Sequence, residues 1–140
     1  MTSKRRLLFW LDGFFMHYLL AYYLQSQLDA DFFAITDINS KPKKFFEKKK
    51  LVNFQKNWYY HDHINLNEKK PDIEYLINFE KKYNINLWKL ALNERYFYIH
   101  NRFYKFEKEE ILLILEQELK LFETILDEIK PDYFLTYNPV

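Results

Sequence analysis

The sequence predicts an α/β fold: a Rossmann-like three-layer sandwich with a mainly parallel sheet of about four strands and helices on both faces. Three observations predict it. Short, unbroken apolar runs alternate with longer segments of helical periodicity. The first of these runs end at turn-forming or acidic residues, as strands buried on both faces do. The 140 residues are enough for one such domain, residues 1–140, which we expect to be the N-terminal half of a larger two-domain protein.

The chain begins with a predicted strand and helix. Residues 6–11 form a continuous apolar run that stops at Asp12-Gly13, a turn signal, which predicts a strand. Residues 14–28 carry apolar side chains at three- and four-residue spacing, which predicts a helix. Because this segment is apolar nearly all round, we expect the helix to be largely buried.

Two further strands are predicted before residue 61. Residues 31–37 form the second apolar run, which ends at an acidic residue. Pro42 suits the first turn of a short helix that follows it. Residues 51–54 are apolar enough for a third strand, and residues 58–60 extend or follow that strand.

The second half is mostly helical and ends in a strand. Pro71 opens a helix, and residues 87–92 give another helical turn or two. The aromatic-rich residues 95–106 fit no single element. Residues 107–130 form the best-defined helix, with carboxylates in the first turn and a proline directly after its end. Residues 133–137 then predict a buried strand.

Composition excludes several classes of protein. One glycine is too few for a phosphate-binding P-loop or a dinucleotide-binding turn. The absence of cysteine excludes disulfides, thiolate zinc sites and cysteine nucleophiles. The 21 basic and 20 acidic residues leave no electrostatic footprint for nucleic acid. No apolar run is long enough to cross a membrane. With no cysteine and no convincing export signal, a cytoplasmic location is expected.

Polar residues follow the predicted strands at the positions where open parallel sheets bind ligands. In such sheets the ligand lies beyond the carboxyl ends of the strands. That rule selects Asp12 with Gly13, Asp37, His61 with His63, and Asn138. The same residue types are also ordinary turn formers, so this interpretation stays open.

His61-Asp62-His63 allows three interpretations. Two histidines one residue apart can point the same way from an extended chain and bind a metal, but zinc needs three or four ligands and no further cluster is visible. A general base needs only one nitrogen and an acidic partner, which favours a catalytic His61 over a metal site. A hydrogen-bonded loop histidine is the third interpretation.

Two arginines lie in the aromatic-rich segment. Arg95 or Arg102 in a cleft would hold a phosphate or carboxylate in bidentate fashion. Each could equally form a surface ion pair of little energetic weight. The neighbouring aromatic side chains fit core packing better than a stacking platform for sugars or bases.

Five segments together resemble the N-terminal Rossmann-like domain of two-domain, GT-B-type glycosyltransferases of capsular or surface polysaccharide biosynthesis. They cover nearly the whole chain, but only half of such an enzyme. The segments are Leu-Leu-Phe-Trp-Leu-Asp-Gly-Phe-Phe (7–15), Ala-Ile-Thr-Asp (34–37), Trp-Tyr-Tyr-His-Asp-His (58–63), Asn-Glu-Arg-Tyr-Phe (93–97) and Lys-Pro-Asp-Tyr-Phe-Leu-Thr-Tyr-Asn (130–138).

The resemblance implies an acceptor-binding domain whose missing C-terminal partner holds most of the nucleotide-sugar site. Transfer would occur in the cleft between the two halves, with a base and without a bound metal. Asp12 and Gly13 would lie at the floor of that cleft, and His61, Arg95 and Asn138 would line its acceptor side. These 140 residues alone are then expected to be inactive.

The leading hypothesis is therefore an acceptor-binding glycosyltransferase domain that binds no cofactor of its own, with a nucleotide sugar as donor in the full enzyme. Asp12 or His61 is the candidate base. Its expected partners are a carbohydrate or lipid-linked acceptor and, peripherally, the inner face of a membrane. The alternatives are a non-catalytic α/β interaction module with an exposed aromatic docking surface, and a small standalone enzyme on the same sheet.

Overall fold

A computed structural model describes residues 4–13, 15–37, 48, 51–67, 70–93, 97 and 104–136. The chain divides into two compact units. Unit 1 comprises Met1–His63 and Thr124–Val140, and unit 2 comprises Ile64–Glu123. The expectation that the chain is half of a two-domain protein stays a prediction.

Unit 1 is built on a four-stranded sheet in the order β3-β2-β1-β4, in which every pair of neighbours is parallel. This confirms the predicted α/β class. The strands are β1 (Arg5–Leu11), β2 (Ala30–Thr36), β3 (Lys56–Tyr59) and β4 (Tyr133–Leu135). A short 3-10 turn, Tyr60–Asp62, follows β3.

One face of the sheet is covered by helix α1, Met16–Gln27, which packs against β1 and β2. Successive side chains of a strand point to opposite faces, so Phe9 and Phe32 share this face and their rings stack 5.8 Å apart. Irregular residues extend the same core, because Val52 is buried in it and Phe54 packs against it. Leu7, Leu11 and Ala34 complete the sheet's contribution.

The opposite face is partly buried: Leu8 and Ile35 expose none of their surface, Trp10 and Phe33 are half-buried, and Phe134 is exposed. Within unit 1, the end of helix α4 (Lys108–Ile129) supplies the fully buried Ile125. An ion pair of 2.7 Å between Lys56 and Glu128 ties this end to β3. The connection from β3 to β4 runs across the sheet in the direction opposite to the connection from β1 to β2. Because both crossovers are right-handed, the helix that precedes β4 lies on the face opposite α1.

The sequence prediction that α1 is largely buried is wrong. Only Tyr18 and Ala21 of this helix are buried. Of the residues whose spacing predicted the helix, Leu19, Tyr22 and Tyr23 are more than half exposed. An apolar helix on a sheet has one side against the strands, and the sequence does not indicate how exposed its other side is.

Unit 2 contains α2 (Ile73–Tyr83), α3 (Leu87–Asn93) and the part of α4 that precedes residue 124. Asp72 caps α2 by accepting a hydrogen bond of 3.0 Å from the backbone N–H of Tyr75. Asn84 ends α2 in the left-handed conformation, with φ 52°. The core of the unit is formed by Leu76, Leu87, Ala91, Phe97, Ile111, Ile114 and Leu115.

Most predicted elements are confirmed within two residues, but the third strand is displaced. Residues 51–54 form no strand, and β3 begins at Lys56 instead. The predicted strand at 133–137 is shorter, because β4 ends at Leu135. The predicted short helix around Pro42 and residues 95–106 fall largely outside the described residues. No helix in the described part of the chain combines the length and apolarity needed to span a membrane.

Candidate functional site

The carboxyl ends of three strands of unit 1 bring polar residues to one edge of the sheet, which we call the carboxyl edge. The register pairs Leu11 with Thr36 and Thr36 with Tyr59. The residues that directly follow these three are Asp12, Asp37 and Tyr60, so they leave the sheet side by side. Sequence reasoning selected Asp12 and Asp37 for this position.

Asp37 and His61 form a polar pair at this edge. The His61 Nε2 and Asp37 Oδ1 atoms are 3.0 Å apart, and the two side chains are 44% and 34% exposed. A carboxylate that accepts from one imidazole nitrogen fixes the tautomer and the orientation of the ring. The other nitrogen, Nδ1, then carries the lone pair that accepts a proton. The pair thus has the composition of an oriented general base.

Backbone and buried side-chain contacts fix the two halves of this pair. The Asp37 N–H donates to the Leu11 carbonyl at 2.7 Å. Its neighbour Thr36 is buried and donates its hydroxyl to the Asn57 side chain, 2.8 Å away, which ties β2 to β3. His61 lies in the 3-10 turn that directly follows β3.

Aromatic rings stand next to the pair. The centroids of Tyr60 and His61 are 5.2 Å apart and nearly perpendicular, and the Trp10 and Tyr60 rings meet edge to face at 5.7 Å. Trp10, Tyr60 and Asp37 are all half-buried. Rings of this kind supply apolar contact area beside polar groups, which is the usual composition of a small-molecule site.

Gly13 lies in an exposed bend after Asp12. Its φ is not in the left-handed region, and a Cβ placed on it would have no neighbour within 4 Å among the described residues. The described protein itself therefore gives no steric reason for glycine here. The half-buried Asp12 stands beside this open backbone at the end of β1.

No described contact joins the remaining predicted site residues to the Asp37–His61 pair. His63 closes the 3-10 turn, where its N–H donates to the Tyr60 carbonyl at 3.0 Å, and its side chain is exposed. Arg95, Arg102 and Asn138 lie outside the described residues. Over the described part of the chain, no group of three or more His, Cys, Asp or Glu residues is placed to hold a metal ion.

The strand order reverses at one point along the carboxyl edge. From β1 the chain proceeds outward to β2 and β3 and then returns to add β4 on the other side of β1. Ligands of doubly wound sheets bind where the order reverses, here between the ends of β1 and β4. Asp12 and Gly13 follow β1 at this point, whereas Asp37 follows β2 and His61 follows β3, on the side of β1 away from β4.

Sequence reasoning missed the residues that support the pair. Thr36, Tyr60 and Trp10 were assigned only to strands and their extensions, and Asn57 was assigned to no element. Their one signal is position, because each lies within a few residues of a predicted strand end. The contacts themselves depend on the β2–β3 register, which pairs residues 23 positions apart, as with Thr36 and Tyr59.

A second polar cluster lies in unit 2 and is organised differently. Glu123 accepts hydrogen bonds from the Tyr75 hydroxyl at 2.8 Å, the Lys82 ammonium at 3.2 Å and the Tyr83 hydroxyl at 3.3 Å. Burial by itself raises the pKa of Glu123, but these hydrogen bonds outweigh burial and hold it below its ordinary value of 4.5. Burial and the Glu123 carboxylate both raise the pKa of Tyr75.

No protein-family model matches the sequence, and neither a curated protein nor a solved structure is significantly similar to the chain. The glycosyltransferase resemblance therefore rests on the quoted sequence segments alone. Function has to be argued from the residues at the carboxyl edge, because a fold by itself does not define a reaction.

Proposed function

We propose that the carboxyl edge of unit 1 binds a carbohydrate acceptor, and that the protein is the acceptor-binding part of a nucleotide-sugar-dependent glycosyltransferase of surface or capsular polysaccharide biosynthesis. The observation that carries the proposal is the exposed Asp37–His61 pair at the carboxyl edge of a doubly wound parallel sheet. The resemblance of the quoted segments to such enzymes supports the class of reaction.

In this proposal His61 is the general base. Its Nδ1 accepts the proton of an acceptor hydroxyl while that oxygen attacks the anomeric carbon of the donor sugar. The bond from the anomeric carbon to the phosphate oxygen breaks, and the nucleoside diphosphate leaves with the electron pair. Asp37 orients the ring and stabilises the imidazolium that forms, as the carboxylate of a catalytic triad does.

The neighbouring groups suit a sugar ring. The faces and edges of Trp10 and Tyr60 offer apolar surface to the C–H side of the ring. Asp12 offers a carboxylate for hydroxyl groups, and it is the second candidate base. The donor phosphates belong to the other half of such an enzyme, so this site needs no cluster of cations.

Binding of sugars to the 140-residue protein tests the proposal. Saturation-transfer NMR with glucose, galactose, N-acetylglucosamine and their disaccharides should detect millimolar binding of at least one of them. We expect His61→Gln and Asp37→Asn each to weaken that binding about tenfold, because loss of an oriented hydrogen bond between a sugar hydroxyl and the neutral imidazole costs up to about 1.5 kcal/mol. His63→Gln is the matched control, since His63 is an exposed histidine two residues away.

Two results would remove the proposal. The first is no saturation transfer to any sugar of the panel in the wild-type protein. The second is equal binding by wild type, His61→Gln and Asp37→Asn, which would place the sugar elsewhere. A parallel titration with uridine diphosphate should give no binding, because the donor site lies outside this unit in the proposed enzyme.

A further inference from the structure

The side of α1 that faces away from the sheet is apolar although it is exposed. Met16, Leu19, Leu20 and Tyr23 form it, and we call them the outer stripe. They are 68%, 57%, 38% and 61% exposed. Their spacing of three, one and three residues places them on one side of a helix, about opposite Tyr18 and Ala21 of the buried side.

The outer stripe holds no acidic or basic residue, and the rest of α1 holds none except His17. The sequence Met-His-Tyr-Leu-Leu-Ala-Tyr-Tyr-Leu-Gln-Ser-Gln holds no Asp, Glu, Lys or Arg. A helix that is apolar all round is normally buried on all sides. Aromatic residues and Met without charged neighbours are also the composition of the buried centre of protein interfaces.

The composition favours a second copy of this chain over a lipid surface as the cover. Helices that lie on membranes carry Lys and Arg on the polar side, and anionic lipids add about 1 kcal/mol for each of them. α1 offers none of these residues. A two-fold pairing places the outer stripe against itself, and an uncharged stripe meets its copy without like-charge repulsion.

The exposed area of the outer stripe is enough for a weakly associating dimer. The outer stripe exposes roughly 400 Å² in each copy, and Tyr22, 54% exposed at its border, adds about 100 Å². Two copies would bury roughly 1,000 Å² in total, at the lower limit for a specific interface. We infer that the outer stripe of α1 is a homodimerisation surface, through which two copies pair helix to helix and dissociate readily.

Sedimentation of the 140-residue protein over a range of concentrations tests this inference. The wild type should shift from the 17.5 kDa monomer to twice that mass, with a midpoint of about 10–100 μM. Leu19→Glu and Tyr23→Glu should remain monomeric at concentrations tenfold above that midpoint. Because both side chains are more than half exposed, both variants should keep the wild-type circular dichroism spectrum.

Leu51→Glu is the matched control, because Leu51 is a 55% exposed leucine of unit 1 outside α1. It should dimerise like the wild type, and so should His61→Gln, since the inference does not depend on the proposed sugar site. A wild type that stays monomeric up to about 1 mM would overturn the inference. Dimerisation of Leu19→Glu at the wild-type midpoint would do the same.

A vesicle assay separates the lipid surface from the second copy. Wild-type protein should not sediment with vesicles of phosphatidylcholine and phosphatidylserine under conditions where it dimerises. Sedimentation of a monomeric wild type with these vesicles, abolished by Leu19→Glu, would assign the outer stripe to a membrane and overturn the inference.

Discussion

Each of the two polar clusters is built on a carboxylate, and the two carboxylates meet different partners. In unit 2, three donors meet the Glu123 carboxylate, and the hydrogen bonds lower its pKa although burial opposes the change. In unit 1, the Asp37 carboxylate meets the imidazole ring of His61, and the two side chains are 34% and 44% exposed. The Glu123 and Asp37 side chains are 30% and 34% exposed, so the two carboxylates differ in their partners and hardly at all in their burial.

The difference shows which cluster suits structure and which suits chemistry. Three donors from α2 meet Glu123 of α4, so this cluster joins two helices within unit 2. The Asp37–His61 pair offers a second ring nitrogen to a ligand. Mutations should therefore affect stability in one cluster and binding in the other.

Glu123→Ala should give the largest effect on stability. We expect it to lower the free energy of unfolding by about 2 kcal/mol, because it removes a charged acceptor from three donors. Urea denaturation followed by circular dichroism measures the change. Asp127→Ala, at an exposed carboxylate in the last turn of the same helix, is the control and should be neutral or slightly stabilising. Equal losses in both variants would contradict a structural role of the cluster.

The pH dependence of stability should carry the signature of Glu123. Its pKa is depressed in the folded state, so its stabilisation is complete above the ordinary value of 4.5 and is lost as pH falls through the folded value. Wild type and Glu123→Gln should therefore differ by about 1 kcal/mol at neutral pH and converge as the pH falls below 4.5 and through the lower folded value. A constant difference across this range would show that ionisation of Glu123 contributes nothing.

His61→Gln should change stability by less than about 0.5 kcal/mol. The pair it breaks is accessible to solvent, and exposed ion pairs contribute little. The same variant is expected to weaken sugar binding about tenfold, so it reverses the pattern of Glu123→Ala. A loss of 2 kcal/mol in urea denaturation would make the pair a structural contact like Glu123.

Gly13→Ala should have the smallest effect on stability, within a few tenths of a kcal/mol and with a tendency to stabilise. The bend does not need a positive φ, a Cβ finds open space among the described residues, and alanine restricts the unfolded chain. Thermal unfolding measures the change. Weaker sugar binding by a fully stable Gly13→Ala would show that a ligand approaches this backbone.

Local patterns in the sequence predicted much of the fold. The runs that end at Leu11 and Thr36 are continuous and apolar, so β1 and β2 were located within about a residue. The third strand was misplaced, because Val52 and Phe54 form an apolar segment that packs into the core without being a strand. The true strand β3 buries only Trp58, so its apolar pattern is weak. Apolar content alone does not separate a strand from an irregular core segment.

The candidate site was predicted as separate residues rather than as a pair. Asp37 and His61 were each selected because they follow strands, but their contact depends on the parallel register between β2 and β3. That register is set by non-local pairing, which one sequence does not reveal. The exposure of α1 was missed for a related reason, since composition does not indicate what covers a helix.

The most direct measurement is saturation-transfer NMR with the same sugar panel on wild type, Asp37→Asn and Glu123→Gln. Each variant removes one carboxylate charge, one at the Asp37–His61 pair and one in the Glu123 cluster. Sugar binding should weaken about tenfold in Asp37→Asn and match the wild type in Glu123→Gln. Equal binding by all three proteins, or a loss confined to Glu123→Gln, would contradict the assignment of the carboxyl edge as the binding site.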